Sequence, residues 1–166
     1  MTTADILRTH LDYTAWASGR SVEAAASLSP EELLRDFGTA NHSVLGTLVH
    51  VFAADRVWFG RIQGNPPAKF LDPEKDMHLE VLQSEWPALL ARWKQWGAGL
   101  TDEAASATLT LRDPKGNALE TTPWQVVMHV VNHGSHHRGL VSGFLRMLGR
   151  TPQPLDLMAY YRELAR

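Results

Sequence analysis

The sequence predicts an all-α protein, a four-helix bundle with long connections between some of its helices. Apolar residues recur at helical spacing in four long segments. The second and the fourth of these segments each end at a glycine, which is typical of a helix terminus. A chain of 166 residues with 44% apolar and 20% charged residues has the size and composition of a single globular domain.

The first half of the chain contains two of the four long helices. The first is predicted over residues 3–27, and a short helix follows over about 30–36. The second long helix covers about 42–62, with Asn41 or Ser43 as its N-cap. The second long helix therefore has a plausible start as well as an apolar face.

The third long helix is predicted over about 76–104, after an irregular, proline-rich loop at 64–75. Pro87 should kink this helix or mark its true first turn, because proline removes a backbone donor. Residues 107–112 alternate apolar and polar side chains and precede a turn signal at 113–117. This pattern predicts a small β-hairpin or an extended crossover.

The fourth long helix begins after Thr121 or Thr122 as its cap and runs to about residue 148, before Gly149. A short helix is predicted over about 155–164. Two of the connections between long helices are long, so the helices need not follow each other in simple up-down order.

Composition excludes several classes of function. The net charge is −2, which gives no electrostatic reason to expect nucleic-acid binding. There is no cysteine, so neither a disulfide nor a protein thiolate is available. The first residues lack the apolar run of a signal peptide, and no stretch of 18 apolar residues could span a bilayer. We expect a cytoplasmic protein without nucleic-acid or membrane partners.

The histidines are unevenly distributed. Four of the eight fall within the nine residues 129–137 of the fourth long helix. They cannot all bind one ion, because His129 and His137 lie about 12 Å apart along the axis of a helix. Histidines four residues apart, such as His133 and His137, lie on one face and can converge on one ion.

The apolar stripe of the fourth helix favours the pair His133 and His137. Its alternating spacing of four and three residues is typical of a bundle seam, and continuing that spacing through the gap reaches both histidines. Two imidazoles buried without partners would be costly, and a metal ion at the bundle axis would satisfy them. The stripe consists of Val126, Val130, Leu140, Phe144 and Met147.

A third ligand should come from another helix, and His50 is the best candidate. It lies in the middle of the second long helix, where its same-face neighbours Thr47, Ala53 and Ala54 are small enough to leave room for an ion. The alternative is that these histidines are hydrogen-bonded core residues, which is the commoner role of a lone histidine on an apolar face.

Three further polar residues lie close to these histidines in the sequence. His129 and His136 are expected at the edge of the site or at the surface, where they could orient a ligand or relay a proton. Asp55 is five residues from His50, and we expect it in an ion pair or at the surface. No catalytic residue is assigned from the sequence.

Several motifs resemble the DinB/YfiT-like family of proposed metalloenzymes, across nearly the whole chain. The run Asn-His-x-x-His-His-Arg-Gly is fairly specific for this family, and the other motifs are weaker individually. These motifs are Tyr13–Trp16, residues 41–50 (NHSVLGTLVH), Asp55–Trp58, residues 132–139 (NHGSHHRG) and residues 148–156 (LGRTPQPLD).

The resemblance implies a four-helix bundle with one long crossover connection, often as a homodimer. It also implies a metal triad with one histidine from the second long helix and two from the final motif. Carried over residue by residue, the triad is His50, His133 and His137. The family motif often continues Arg-Gly-Gln, whereas Leu140 follows Gly139 here, so the substrate chemistry is expected to differ.

Three neutral histidines leave an ion with its full charge and an open coordination position, which is typical of catalytic sites. Zn²⁺ and Ni²⁺ both suit imidazole. Such an ion could lower the pKa of a bound water to about 7 or bind a substrate thiol as thiolate. Members of the wider family are similar to thiol-dependent S-transferases and to a mycothiol-dependent isomerase.

The sequence therefore predicts a metal-dependent S-transferase or related hydrolase for a small-molecule substrate, with an external low-molecular-weight thiol as a second cofactor. The alternative from another class is a non-catalytic, stress-induced protein that binds a metal or a small molecule. A third hypothesis, DNA binding, rests only on the family name, and the negative net charge argues against it.

Overall fold

The computed structural model describes residues 1–113 and 116–165, and it contains four long helices together with four short ones and a hairpin in these ranges. The elements are α1 (Thr3–Ala26), α2 (Pro30–Leu34), α3 (Val44–Ile62), α4 (Pro73–Asp76), α5 (Leu79–Ala98), α6 (Asp102–Ser106), β1 (Leu109–Arg112), β2 (Ala118–Thr121), α7 (Pro123–Met147) and α8 (Leu157–Leu164).

The long helices form a bundle in which α1 packs against α5 and α7, and α3 packs against the same two helices. Their order around the bundle is therefore α1, α5, α3, α7. The connections from α1 to α3 and from α5 to α7 both run between diagonal corners, whereas that from α3 to α5 joins neighbouring helices. This arrangement confirms the predicted all-α bundle and brings α3 alongside α7.

Side-chain caps fix the starts of the helices that carry the candidate site. The Ser43 hydroxyl accepts a hydrogen bond from the Gly46 N–H, so Ser43 rather than Asn41 is the cap of α3. His42 has a positive φ of 59°, which excludes it from the helix. At α7, Thr122 and Gln125 bond each other's backbone N–H groups in a capping box.

The third long helix is shorter than predicted. It starts at Leu79 and ends at Ala98, and a separate helix, α6, follows the bend at Gly99. The hydroxyl of Thr101 accepts the Ala104 N–H and so starts α6 independently. Pro87 lies inside α5, so the alternative that it marks the first turn is wrong.

The predicted hairpin is present. Strands β1 and β2 are antiparallel, with Leu109 opposite Thr121 and Arg112 opposite Ala118. Leu111 is 3% exposed and anchors the hairpin to the core. Pro114 and Lys115 of the predicted turn lie outside the described residues. No helix in the described ranges combines the length and apolar character needed to cross a membrane.

The buried face of α7 is centred one residue beyond the predicted stripe. Met147, placed in that stripe, is 63% exposed. Its prediction as a core residue is wrong, because an apolar spacing of 3.5 residues drifts around a straight helix of 3.6 residues per turn. Val126, Val130 and Phe144 of the predicted stripe are buried, and a second buried line runs beside them through Val127, Val131, Gly134, Arg138, Val141 and Leu145.

Candidate metal centre

The three predicted histidines meet between the middle of α3 and the middle of α7. One ring nitrogen from each of His50, His133 and His137 lies within 4.8 Å of the other two. The Nε2 atoms of His50 and His133 are 3.1 Å apart. Two nitrogens bound to a tetrahedral zinc ion, each at about 2.1 Å, would be separated by about 3.4 Å. The geometry and the all-nitrogen donor set therefore fit one divalent transition-metal ion.

Helix geometry brings these side chains together. His133 and His137 are four residues apart, and their ring centroids are 4.5 Å apart. The His50 ring centroid lies 4.5 Å from that of His137 and 5.0 Å from that of His133. Further along the same pair of helices, Trp58 of α3 contacts His129 of α7, so the two helices run antiparallel.

All three histidines are half-buried, rather than enclosed at the bundle axis as predicted. His133 and His137 lie at the edge of the α7 core face, because the centre of that face is one residue further along the chain. Their neighbours Thr47, Ala53 and Ala54 on α3 are buried. A bound ion would therefore be held at the boundary between core and solvent, within reach of a substrate.

Burial keeps the imidazoles neutral. It is the main cause that lowers the pKa of His133 to about 4, and the nearby His137, His50 and His129 lower it further. Burial, followed by the charges of His50 and His136, also lowers the pKa of His137 to about 4. Burial lowers the pKa of His50 as well. At neutral pH all three rings therefore offer lone pairs to a cation.

Two rings of the triad lack the second hydrogen bond that usually orients a metal-binding histidine. The Nδ1 atoms of His133 and His137 are buried and have no hydrogen-bond partner among the described residues. Metal-binding histidines usually donate their second N–H to a carboxylate or a carbonyl, which fixes the tautomer. Here no such bond selects the tautomer of either ring, so a cation shared by the rings is the interaction that would do so.

The connection between α3 and α5 covers part of the site. The Phe70 ring centroid is 5.4 Å from that of His50. Arg56 holds this loop, because its guanidinium donates two hydrogen bonds of 2.9 and 2.7 Å to the Asp76 carboxylate. It also donates to the carbonyl of Phe70. The sequence did not indicate this pair, since charged residues in a helix and a loop usually face solvent.

The two remaining histidines of the cluster are exposed, as expected. His129 stacks near His133, with ring centroids 5.8 Å apart, and it contacts Trp58. His136 contacts the edge of His137 at 4.9 Å between centroids. Among the described residues, only the predicted three form a group with metal-ligand geometry.

A comparison with known families agrees with this description. The profile of the DinB family matches residues 1–164, which is nearly the whole chain. The chain belongs to the DinB family. One relative is the protein DinB of Bacillus subtilis (strain 168), which is 24% identical over 164 residues, a region covering 90% of each chain.

A solved DinB-family structure has the same fold. It is the crystal structure of a DinB-like protein from Bacillus cereus ATCC 10987, with a TM-score of 0.63 and 17% sequence identity. The match covers 87% of the present chain and 94% of the other. At this level of identity the comparison establishes the shared bundle, while the site rests on the geometry above.

In this DinB-family chain, Asp55 is neither at the surface nor in a direct ion pair. It is fully buried, and its carboxylate accepts a 2.9 Å hydrogen bond from Trp86 Nε1. Burial raises the pKa of Asp55 to about 7, although the Trp86 hydrogen bond and the charge of Arg138 oppose this rise. The expected surface position is therefore wrong. A buried tryptophan N–H seeking an acceptor is the signal that could have suggested it.

Arg138 is another charged residue that the sequence did not place in the core. It is 1% exposed and lies on the buried line of α7. Gly134 makes this possible, because a Cβ atom at that position would lie 2.5 Å from Arg138 Nη1. Gly134, at the first x position of the Asn-His-x-x-His-His-Arg-Gly run, thus provides the space for the arginine four residues later.

Proposed function

We propose that this DinB-family protein is a divalent-metal-dependent enzyme that transfers a thiol to a small electrophilic substrate. The observation that carries the proposal is the convergence of three imidazole nitrogens within 4.8 Å at a half-buried position. Nitrogen-only ligation favours Zn²⁺ or Ni²⁺ over the oxygen-preferring Mg²⁺ and Ca²⁺.

The protein would supply three neutral ligands and no more. When bound, a divalent ion supplies Lewis acidity, which lowers the pKa of a water or a thiol in contact with it. Three protein ligands leave a position for that molecule, as in catalytic rather than structural sites. No carboxylate of the described residues joins the cluster to occupy this position.

Because the sequence contains no cysteine, the protein itself cannot supply a thiol nucleophile. A transferred sulfur has to arrive with an external low-molecular-weight thiol, and the alternative nucleophile is water. Phe70 beside His50 and Trp58 beside His129 would provide apolar surfaces next to the reacting groups. These contacts suit a substrate with an apolar or aromatic body.

Metal binding is tested by comparing two adjacent histidines. We expect the purified protein to bind one equivalent of Zn²⁺ or Ni²⁺, and His137→Ala to lose most of it. The matched control is His136→Ala, because His136 is exposed and lies outside the triad. If His137→Ala kept one equivalent of metal, the proposed triad would be wrong.

Thiol transfer is tested with the metal-loaded protein, a panel of electrophiles and three thiols: glutathione, bacillithiol and mycothiol. We expect conjugation with at least one thiol, and we expect chelation and His137→Ala to abolish it. Hydrolysis of the same panel without a thiol would favour the hydrolase. One equivalent of bound metal without any turnover would favour the non-catalytic binding protein.

A further inference from the structure

A cavity lies on the face of α7 that points away from the three histidines. Its volume is about 470 Å³, and it is bounded by α7, by Tyr13 of α1 and by residues 152–156 between α7 and α8. Ser135, Ser142 and Arg146 line it on α7, roughly half a helical turn from His133 and His137. A volume in this range is typical of a small-molecule site.

Arg138 forms one wall of this cavity and is incompletely paired. Its Nη1 donates to Ser18 Oγ at 3.2 Å and its Nη2 to Ser135 Oγ at 3.4 Å, but its Nε has no partner among the described residues. No carboxylate of those residues lies within ion-pair distance of it. The Tyr13 ring, whose centroid is 5.6 Å from Arg138 Cζ, is its other partner. A buried cation that contacts hydroxyl groups and an aromatic ring but no carboxylate is costly, and a bound anion would compensate it.

The hydroxyl groups beside Arg138 are oriented by a chain of hydrogen bonds. Tyr13 donates its hydroxyl proton to the carbonyl of Leu155 at 2.7 Å. Ser135, 3.2 Å from the Tyr13 oxygen, then donates to Tyr13 and accepts from Arg138. This chain fixes the segment that closes the cavity, and it leaves the guanidinium groups as the principal charged donors.

The charged groups around the cavity favour an anion. Arg138 and Arg146 carry two positive charges, and Asp156 carries one negative charge. The Asp156 carboxylate already accepts the Ala159 N–H as the cap of α8. Asp55 acts on Arg138 only through space, since its hydrogen-bond partner is Trp86. The cavity therefore has an excess positive charge, and one of its arginines is buried with an Nε that has no hydrogen-bond partner among the described residues.

We propose that this cavity binds a small organic anion, with its carboxylate or phosphate group held by Arg138 and Arg146. Planar guanidinium groups match both oxyanions, and their hydrogen bonds to charged oxygens are stronger than those to neutral ones. Pro152, Pro154 and Leu155 would contact the uncharged body of the ligand. This site is separate from the histidine triad and does not depend on the proposed enzymatic function.

The test uses the metal-free, ¹⁵N-labelled full chain, so that an anion cannot bind through a metal ion. Inorganic phosphate and acetate are titrated separately while the Arg138 Nε–H resonance is followed by NMR. We expect a saturable shift of this resonance with at least one of the two. The anion that binds more tightly identifies the preferred head group.

Two variants make the result specific. Arg146→Gln should weaken binding about tenfold, the effect of removing one charged hydrogen-bond donor. Arg162→Gln removes the same charge from an exposed position on α8 and should leave the affinity unchanged. A resonance that does not respond to either anion would overturn the proposal. So would an affinity that Arg146→Gln leaves unchanged, or one that both variants weaken equally.

Discussion

Gly134 and Gly143 are both glycines of α7, but their surroundings differ. A methyl group at position 134 would displace the Arg138 guanidinium, whereas a Cβ at position 143 would have no neighbour within 4 Å. We expect Gly134→Ala to lower the free energy of unfolding by about 1–3 kcal/mol through overpacking. Gly143→Ala should raise it by up to about 1 kcal/mol, because alanine favours helices. Urea unfolding of both variants measures the two opposite signs.

Asp55 makes folding depend on pH in an unusual direction. Because its pKa rises from 3.8 to about 7 on folding, the folded state binds more protons than the unfolded state between these pH values. Stability from this group is therefore present below about pH 4 and is lost as the pH rises through 7. The depressed pKa values of His133 and His137 act in the opposite direction between about 4 and 6.5.

Asp55→Asn separates these contributions in the metal-free protein. The amide oxygen can still accept the Trp86 hydrogen bond, and the ionisation is removed. We expect the variant to gain stability relative to the natural chain as the pH rises from 5 to 8, by a few kcal/mol at most. Denaturant unfolding at both pH values measures this difference. A difference that does not vary with pH would mean that Asp55 has an ordinary pKa.

The residues of the triad could be predicted from sequence because histidine spacing, family motif and helix geometry indicate the same three positions. Arg138 and Asp55 could not, since a charged residue within an apolar repeat usually marks the solvent side. Near the start of α7, paired valines at 126–127 and 130–131 are consistent with two adjacent stripes. Only packing against α1 and α3 shows which stripe is central.

At the scale of elements, the loop that contains α4 depends on one ion pair. Asp76 is 3% exposed, and its carboxylate accepts the Asp72 N–H in addition to the two Arg56 bonds. We expect Asp76→Asn to loosen this loop and to increase the rate of trypsin cleavage after Lys69 several-fold, because a charge-assisted bond becomes a neutral one.

Asp72→Asn is the matched control for this experiment. It removes the same charge from the same loop, where Asp72 is only 3.9 Å from Lys69 in a loose pair. Its cleavage rate should remain close to that of the natural chain. Equal rates for the two variants would show that the Arg56–Asp76 pair does not hold the loop.

The sequence predicted where helices start better than it predicted that the third long segment forms two helices, α5 and α6. Side chains at Ser43 and Thr122 cap their helices through local bonds that a short sequence window contains. The separation of α5 from α6 depends instead on a bend at Gly99, after a helix that tolerates Pro87 in its interior. Apolar periodicity continues through such a bend and does not indicate it.

At the scale of the whole molecule, metal binding would link two helices whose ligands are 83 positions apart in the chain. A ligand that binds only the folded state stabilises it by about 4 kcal/mol at 1,000 times its Kd. We expect excess Zn²⁺ or Ni²⁺ to raise the Tm by about 10 °C. Calorimetry of His50→Ala should show no such rise, since α3 then supplies no ligand.

His10→Ala is the control for nonspecific binding by surface imidazoles. His10 lies in α1 and bonds the carbonyl of Ile6, outside the triad. This variant should keep the full increase in Tm. An increase that survives in His50→Ala would place the stabilising ion elsewhere in the protein.

The order of the helices around the bundle was the global feature that sequence left open. The two long connections predicted from the sequence indicated that the helices need not follow each other in simple up-down order. Connection length alone, however, does not show which helices lie at diagonal corners of the bundle. Which helices pack against each other is seen only in the folded structure. The ligands of the triad are neighbours because α3 and α7 share a long contact.

The contact between Trp58 and His129 provides an intrinsic optical reporter for the site. The indole lies against His129, whose ring in turn stacks near His133. A paramagnetic ion such as Ni²⁺ held by the triad would therefore quench the fluorescence of this tryptophan. The kinetics of ion uptake and release could then be followed in the unlabelled protein by stopped-flow mixing.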